Sequence, residues 1–197
     1  MKKIEFKWSK KNIIIVSAVA AAVIIAVVLT LVFTLGGSAE KMESRYKSSV
    51  KSVASVVKTT EIKDGETSVE KRVETITFSK GDEAEVVTAI TKINEFNAEM
   101  KESTTTASGE IDRTSLVAVN LGTNVFESGY SYKSNVFKGK VSAKNASKFF
   151  PEGTVSVDGE IDVEVVFKGS KISEITCRYK TETGLSASLK ITYSYGR

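Results

Sequence analysis

The feature that most constrains this chain is a long uncharged tract near its N-terminus. From Ile13 to Leu35 the sequence consists mostly of Ile, Val, Ala and Leu. As a helix rising about 1.5 Å per residue, the tract would reach about 35 Å, and the hydrocarbon core of a bilayer is about 30 Å thick. The sequence therefore predicts a transmembrane helix over residues 13–35, and any compact domain must lie on one side of it.

The residues that follow the tract bear on whether it is retained. Leu35, Gly36, Gly37 and Ser38 form most of a bacterial lipoprotein signal, but Ser stands where the acylated Cys is required. We therefore expect no lipidation. A secretory signal has an apolar region of about 7 to 15 residues, so the greater length of this tract favours a retained anchor. Cleavage is the alternative, because Gly37-Ser38-Ala39 offers small residues to a peptidase.

The charges on either side of the tract predict its orientation. Residues 1–12 contain five Lys and one Glu, whereas acidic and basic residues are mixed after residue 39. By the positive-inside rule, the N-terminus stays in the cytoplasm and the protein is a single-pass protein of the cell membrane. The expected parts are a cytoplasmic basic tail (1–12), the transmembrane helix (13–35), a Gly-Gly hinge (36–38) and an extracytoplasmic α+β domain (39–197).

The positive net charge belongs to the tail rather than to the domain. The chain carries +4 overall, and residues 1–12 alone supply five Lys minus one Glu, so the remaining 23 basic and 23 acidic residues cancel. A nucleic-acid-binding domain would show a basic excess, so no nucleic acid is expected as a partner. The single cysteine, Cys177, alternates with Ile175 and Tyr179, which predicts a buried thiol on a strand.

Alternating apolar and polar residues predict an antiparallel sheet. Three C-terminal segments alternate in this way, at residues 160–167, 174–180 and 185–195. Short turn signals separate them, so we predict a three-strand meander. Earlier in the chain, Asp64-Gly65 predicts a hairpin, and residues 73–78 are typical of a strand.

Two further segments show spacing that indicates helix. Apolar residues follow the tract at intervals of three and four, namely Met42, Tyr46, Val50, Val53 and Val57. They predict an amphipathic helix that needs a surface to lie on. Residues 83–100 fit either a helix or a strand, and their length favours a helix. The predicted fold is thus α+β, with an amphipathic helix packed on a largely antiparallel β-sheet.

The composition excludes most catalytic chemistry. The chain contains no His, so it has no imidazole base, no Ser-His-Asp triad and no His metal ligand. Matches to S-x-x-K begin at Ser44, Ser48 and Ser55, but the companion motifs of penicillin-recognising enzymes are missing. Alternating acids between Asp158 and Glu164 are interpreted as a solvated strand face. We predict a non-catalytic protein without metal or cofactor, and a His-independent hydrolase is the weaker alternative.

One stretch of the predicted domain is both basic and aromatic. No acidic residue occurs between Glu127 and Glu152. The candidate contacts for an anion or a lipid in this basic patch are Lys133, Lys138, Lys140, Lys144, Lys148, Tyr130 and Tyr132. Such a patch suits anionic lipid head groups or a polyanionic wall polymer. The alternative is an ordinary solvated face.

Two known architectures resemble this order of elements. Type IV pilins also run an apolar helix into an amphipathic helix that lies on an antiparallel sheet. The order of helix, hairpins, helix and meander, with the residual Leu35-Gly36-Gly37, is similar to LolA-like lipoprotein carriers, which implies a helix on a curved sheet. The leading hypothesis is a membrane-anchored extracytoplasmic module that binds an apolar ligand, a lipid or an envelope protein. A structural or assembly subunit of a surface apparatus is the alternative, and a cavity beneath the amphipathic helix would favour the binding module.

Overall fold

A computed structural model of the protein describes residues 41–93, 100–122, 124–126, 130–150 and 157–196. These residues lie within one compact unit, Ala39–Arg197. The basic tail, the transmembrane helix and the hinge predicted for residues 1–38 lie outside the described residues. Among the helices that are described, none has the length and apolar character needed to cross a membrane.

In the described part of the chain, nine strands form one antiparallel sheet. The strands are β1 (Val53–Asp64), β2 (Thr67–Phe78), β3 (Glu83–Ile93), β4 (Met100–Glu110), β5 (Ser131–Lys133), β6 (Val136–Ser142), β7 (Val157–Lys168), β8 (Lys171–Thr181) and β9 (Ser186–Tyr195). The helical segments are α1 (residues 41–50), the 3-10 helices η1 (Arg113–Leu116) and η2 (Ala143–Asn145), and α2 (Ala146–Phe149).

The sheet consists of two meanders, β1–β4 and β5–β9. They are joined by the pairing of β1, the first strand of the chain, with β9, the last. The order of the sheet is β4-β3-β2-β1-β9-β8-β7-β6-β5. Strands that follow one another in the chain are neighbours within each meander, and β1 pairs with β9 from Val53↔Tyr195 to Lys63↔Ser186. The predicted antiparallel sheet and the C-terminal meander of β7, β8 and β9 are therefore confirmed.

The turn between β1 and β2 confirms the predicted hairpin. Asp64 pairs with Thr67, so the turn contains only Gly65 and Glu66. Gly65 has a φ of 57°, which lies in the left-handed region that glycine enters without a steric penalty. Two-residue hairpin turns of type II′ have glycine at their first central position, which is where Gly65 lies.

The amphipathic helix is shorter than its spacing predicted. Helix α1 ends at residue 50, and β1 begins at Val53. The prediction that Val53 and Val57 belong to the helix is therefore wrong. Residues 53–60 are rich in β-branched side chains, which favour strands. Pairing with both β2 and β9 gives this segment a regular ladder on each side from Ser55 onward, and these hydrogen bonds outweigh a continued helical turn.

The helix favoured for residues 83–100 is also wrong. This segment contains the whole of β3 and the first residue of β4. Its β-branched residues alternate between the two faces of the sheet, with Val86 and Ile90 on one face and Val87 and Thr91 on the other. Pairing with β2 and β4 on its two sides overrides the helical spacing.

The sheet has a packed half and a solvated half. One face, here called the covered face, carries buried side chains throughout β6–β9, and α1, α2 and the segment 111–126 contribute buried residues to the same core. Cys177 lies on this face with no exposed area, which confirms its predicted burial. The same face continues across β1–β4, where most side chains are partly exposed and residues 102–110 of β4 are exposed.

Candidate functional site

Strand β6 places two lysines of the basic patch opposite the acids of β7. In the ladder, Lys138 faces Glu164 and Lys140 faces Asp162. The Lys138 Nζ lies 2.8 Å from a Glu164 carboxylate oxygen, and the Lys140 Nζ lies 2.7 Å from Glu160 and 3.6 Å from Asp162. The hydrogen bond that Lys140 donates to Glu160 raises the pKa of Lys140. Acids from the next strand thus offset the charge of both lysines.

The other three lysines of the basic patch lie on different elements. Lys133 is in the edge strand β5, Lys144 is in η2 and Lys148 is in α2, and all three are exposed. Lys133 and Lys148 make no ion pair with any residue that the structure describes. The binding of an anion by the basic patch stays a prediction.

The two tyrosines of the basic patch pack against the core. The Tyr130 ring stacks on Phe137 with 5.5 Å between centroids, and the Tyr132 ring meets Phe167 edge-on at 6.2 Å. Arg45 of α1 donates a hydrogen bond to the Tyr132 hydroxyl, and its guanidinium lies 4.3 Å above the Phe167 ring. Tyr132 therefore helps to attach α1 to the sheet, and Tyr130 packs on β6.

A cavity that the sequence did not indicate lies on the covered face, between the solvated half of the sheet and η1. Its volume is about 270 Å³. Ligand pockets span about 300 to 1,000 Å³, so this cavity suits one narrow ligand. Its apolar walls are formed by Val56, Ile76, Val86, Ile111, Leu116, Ala118 and Ile191. The cavity lies under η1 and the residues after it, and its lining includes no residue of α1.

The strands place one polar row beside the apolar wall of the cavity. Val56, Ile76 and Val86 form a row across β1, β2 and β3, and the next row on the same face begins with Lys58 opposite Glu74. Glu74 is paired with Arg72 at 3.3 Å, and its side chain is 23% exposed. Lys58 is partly buried and makes no ion pair within the described residues. The polar end of the cavity is therefore lined by Lys58, Glu74 and Ser115, and the Lys58 ammonium group has no ion pair there among the described residues.

Buried hydroxyl groups hold the roof of the cavity on the sheet. The Ala118 N–H donates to the Tyr46 hydroxyl at 3.0 Å, the Tyr46 and Tyr193 hydroxyls lie 2.7 Å apart, and Tyr193 donates to the Leu116 carbonyl at 3.2 Å. Burial raises the pKa of Tyr46 to about 12 and the pKa of Tyr193 well above its ordinary value. Both hydroxyls therefore keep their protons at neutral pH.

Arg113 anchors the other end of the roof. Its guanidinium lies 4.0 Å above the Phe78 ring, its Nε donates to the Val53 carbonyl at 3.2 Å, and it forms an ion pair with Asp82. Asp112 caps η1 by accepting a hydrogen bond from the Thr114 backbone N–H at 2.8 Å. The hydroxyl and backbone hydrogen bonds from Thr114 lower the pKa of Asp112. The roof is thus attached at both ends before any ligand binds.

The described residues offer little for catalysis. No group of three or more metal-binding side chains occurs among them. Burial raises the pKa of the Cys177 thiol to about 12, and a buried protonated thiol is a poor nucleophile. A more open depression of about 620 Å³ lies at the ends of β2, β3 and β4, but its lining is polar apart from Ala84 and glycine.

Comparison with known proteins assigns the chain to no family. No family model and no curated protein sequence matches the chain. Among solved structures, LprF from Mycobacterium bovis is similar with 10% identity and a TM-score of 0.42, over 80% of this chain and 92% of LprF. A redesigned β-barrel, mFAP1 bound to DFHBI, is similar with 6% identity and a TM-score of 0.23, over 74% of this chain and 98% of the barrel. Superpositions this loose do not define a shared fold.

Proposed function

We propose that the domain is a non-catalytic binding module for a single-chain amphiphile, and that the cavity under η1 holds the apolar chain. The cavity is the observation that carries the proposal. Its walls are apolar except at the end that carries Lys58, Glu74 and Ser115, and its roof is fixed by the tyrosine hydroxyls and Arg113. Its volume of about 270 Å³ suits one chain better than several. The absence of His from the sequence and the buried thiol of Cys177 support a role without catalysis.

Lys58 supports a ligand that has an acidic head group in addition to its apolar chain. An ammonium group at one end of an apolar cavity attracts an acidic head group, and the partly buried position strengthens that attraction relative to bulk water. Glu74 faces Lys58 across the ladder but is engaged by Arg72. The ligand class is therefore an apolar chain with a carboxylate or phosphate head group, which falls within the predicted class of apolar ligands and lipids.

The module is further proposed to act at the outer surface of the cell membrane. The uncharged tract from Ile13 to Leu35 supports an anchor, and the five lysines that precede it support a cytoplasmic N-terminus. A single-chain amphiphile in the outer leaflet would then be within reach of the tethered domain.

Binding of a dansyl-labelled undecanoate to the full-length protein in phosphatidylcholine nanodiscs tests the proposal, with empty nanodiscs as the background. We expect saturable binding that dodecanoate displaces. Val86→Phe fills the cavity and should abolish this binding. Val87→Phe is the matched control, because Val87 is the next residue of β3 and points to the opposite face, and it should bind like the parent.

Lys58→Gln tests the head group in the same assay. The variant should lose affinity for dodecanoate and keep its affinity for dodecanol, since only the carboxylate interacts with the ammonium group. The parent should prefer dodecanoate. A lack of saturable binding by the parent, or equal binding by the Val86→Phe and Val87→Phe variants, would overturn the proposed function.

A further inference from the structure

The two edges of the sheet differ in a way that points to a partner. One edge is β5, which has only three residues. The other edge is β4, which has eleven residues and pairs with β3 without interruption from Glu83↔Glu110 to Ile93↔Met100. Short edge strands limit unwanted pairing, whereas a long regular edge presents a row of backbone donors and acceptors.

Strand β4 carries its one lysine, Lys101, at its start, and its centre lacks the side chains that usually protect an edge. Between Glu102 and Glu110 the sequence contains no Pro, Lys or Arg, and its centre is the run Thr104-Thr105-Thr106. All of residues 102–110 are exposed in the described structure. An edge with these properties can add another strand through main-chain hydrogen bonds.

The sequence of β4 is compatible with pairing to itself. In an antiparallel pair centred on Thr105, Thr104 faces Thr106 of the second copy and Ser103 faces Ala107. The acidic ends do not oppose each other, because Glu102 faces Ser108 and Glu110 faces Met100. This register pairs the whole strand, places Thr residues against Thr residues and sets no like charges directly opposite.

We infer that β4 is a homodimer edge, where a second copy of this chain pairs antiparallel about Thr105. A pair of eleven residues on each side gives about ten backbone hydrogen bonds, which is the number found in an ordinary protein interface. The two-fold axis runs perpendicular to the sheet, so the covered faces of both copies lie on the same side. The solvated half, β1–β4, then becomes the centre of a continuous sheet. The inference is independent of the ligand cavity.

Disulfide trapping tests the register in the full-length protein in nanodiscs that hold more than one copy. Residues opposite each other in an antiparallel pair have Cα atoms about 4.5 to 5.5 Å apart, and disulfides accept about 4.4 to 6.8 Å. Thr105→Cys should therefore form a covalent dimer under mild oxidation. Ser103→Cys alone should not, because its two copies would be about 13 Å apart. A mixture of Ser103→Cys and Ala107→Cys should cross-link. The native Cys177 is buried and serves as an internal blank.

The substitution Thr105→Lys tests the same edge without cross-linking. Two lysines would face each other at the centre of the pair, so the dimer measured by sedimentation in detergent should dissociate. At a concentration low enough for the parent to be monomeric, the unfolding midpoint should be the same in the variant and the parent. Three results would overturn the inference: a monomeric parent at every concentration, equal cross-linking by Thr105→Cys and Ser103→Cys, or a Thr105→Lys variant that dimerises like the parent. A fourth result would assign the edge to another protein: Thr105→Lys loses a different bound protein, and Thr105→Cys does not cross-link to a second copy. This result would also overturn the inference.

Discussion

The hydroxyl groups of Tyr46 and Tyr193 lie 2.7 Å apart in the core, and their contact joins three distant parts of the chain. Tyr46 belongs to α1 and Tyr193 to β9, and both hydroxyls interact with the backbone between Leu116 and Ala118. All four polar groups are satisfied if the Ala118 N–H donates to Tyr46, Tyr46 donates to Tyr193, and Tyr193 donates to the Leu116 carbonyl. The roof of the cavity is therefore held by the same contact that attaches the helix.

Replacing Tyr46 with Phe should destabilise the domain. The change removes the hydrogen bonds that join the Tyr46 hydroxyl to the Ala118 N–H and to Tyr193. The Ala118 N–H keeps its hydrogen bond to the Leu116 carbonyl, so the expected cost is about 0.5 to 1.5 kcal/mol for each hydrogen bond lost. The free energy of unfolding by urea, followed by near-UV circular dichroism of the full-length protein in nanodiscs, measures this loss. Tyr179→Phe is the control, since no hydrogen bond of its hydroxyl is present in the described structure. Equal stability of the Tyr46→Phe variant and the parent would contradict the hydroxyl arrangement.

Alkaline pH should lower the stability of the domain through the same tyrosines. Burial raises the pKa of Tyr46 from 10.0 to about 12, so the folded state binds its proton more tightly than the unfolded state. This contribution to stability is complete below pH 10 and is lost as the pH rises toward 12, by about 2 to 3 kcal/mol at most. Cys177, whose pKa burial raises from 9.0 to about 12, acts in the same direction from pH 9 upward. Urea unfolding at pH 8 and pH 11 measures the decrease, which should be smaller in Tyr46→Phe.

Gly139→Ala should disturb the core beside β6. A Cβ at this position would lie 2.8 Å from the Phe126 ring, which packs edge-on to Phe137 with 5.0 Å between centroids. Overpacking of this kind costs about 1 to 3 kcal/mol, and the urea midpoint should fall accordingly. Gly109→Ala is the matched control, because nothing lies within 4 Å of its added Cβ. That variant should be as stable as the parent or slightly more stable, and a similar loss in both variants would show that Phe126 does not restrict position 139.

The basic patch can be tested by separating its lysines into two pairs. Lys138 and Lys140 are offset by acids of β7, whereas Lys133 and Lys148 have no ion pair among the described residues. If the patch binds polyphosphate at low salt, removing the unpaired lysines with Lys133→Gln and Lys148→Gln should weaken binding by about fivefold for each lysine. Lys138→Gln and Lys140→Gln together should have a smaller effect. Calorimetric titration of the full-length protein compares the two double variants, and equal losses would show that the ion pairs do not limit the patch.

The part of the fold that the sequence predicted is the part with one buried face. In β7, β8 and β9, residues such as Ile161 and Ile191 are buried while their neighbours are partly or fully exposed, and this contrast produces the alternation in the sequence. In β3 both faces are partly exposed, so Val86 and Val87 differ little in environment and the alternation is weak. A spacing of three and four residues then fits a helix equally well, although the pairing partners decide the structure.

The candidate site was missed because β1 was assigned in part to the helix. As a strand, the run Val56-Val57-Lys58 places Val56 and Lys58 on one face, and this would have indicated a cation beside an apolar wall. The roof residues carry no comparable signal, since Leu116 and Ala118 meet Val56 only through tertiary packing. The ion pairs of Lys138 and Lys140 were hidden for the same reason, because their partners lie on the next strand of the sheet.

The ladder between β1 and β9 has a consequence for the time at which the domain can fold. Strands β1–β4 form from neighbouring hairpins and can assemble as soon as they leave the ribosome or the translocation channel. The core cannot close in the same way, because β1 must wait for β9, which is synthesised more than a hundred residues later. Contacts of such long sequence separation slow folding. The domain should therefore complete its core only after nearly the whole chain has emerged, and until then the apolar side of α1 depends on a chaperone or on the membrane surface for protection.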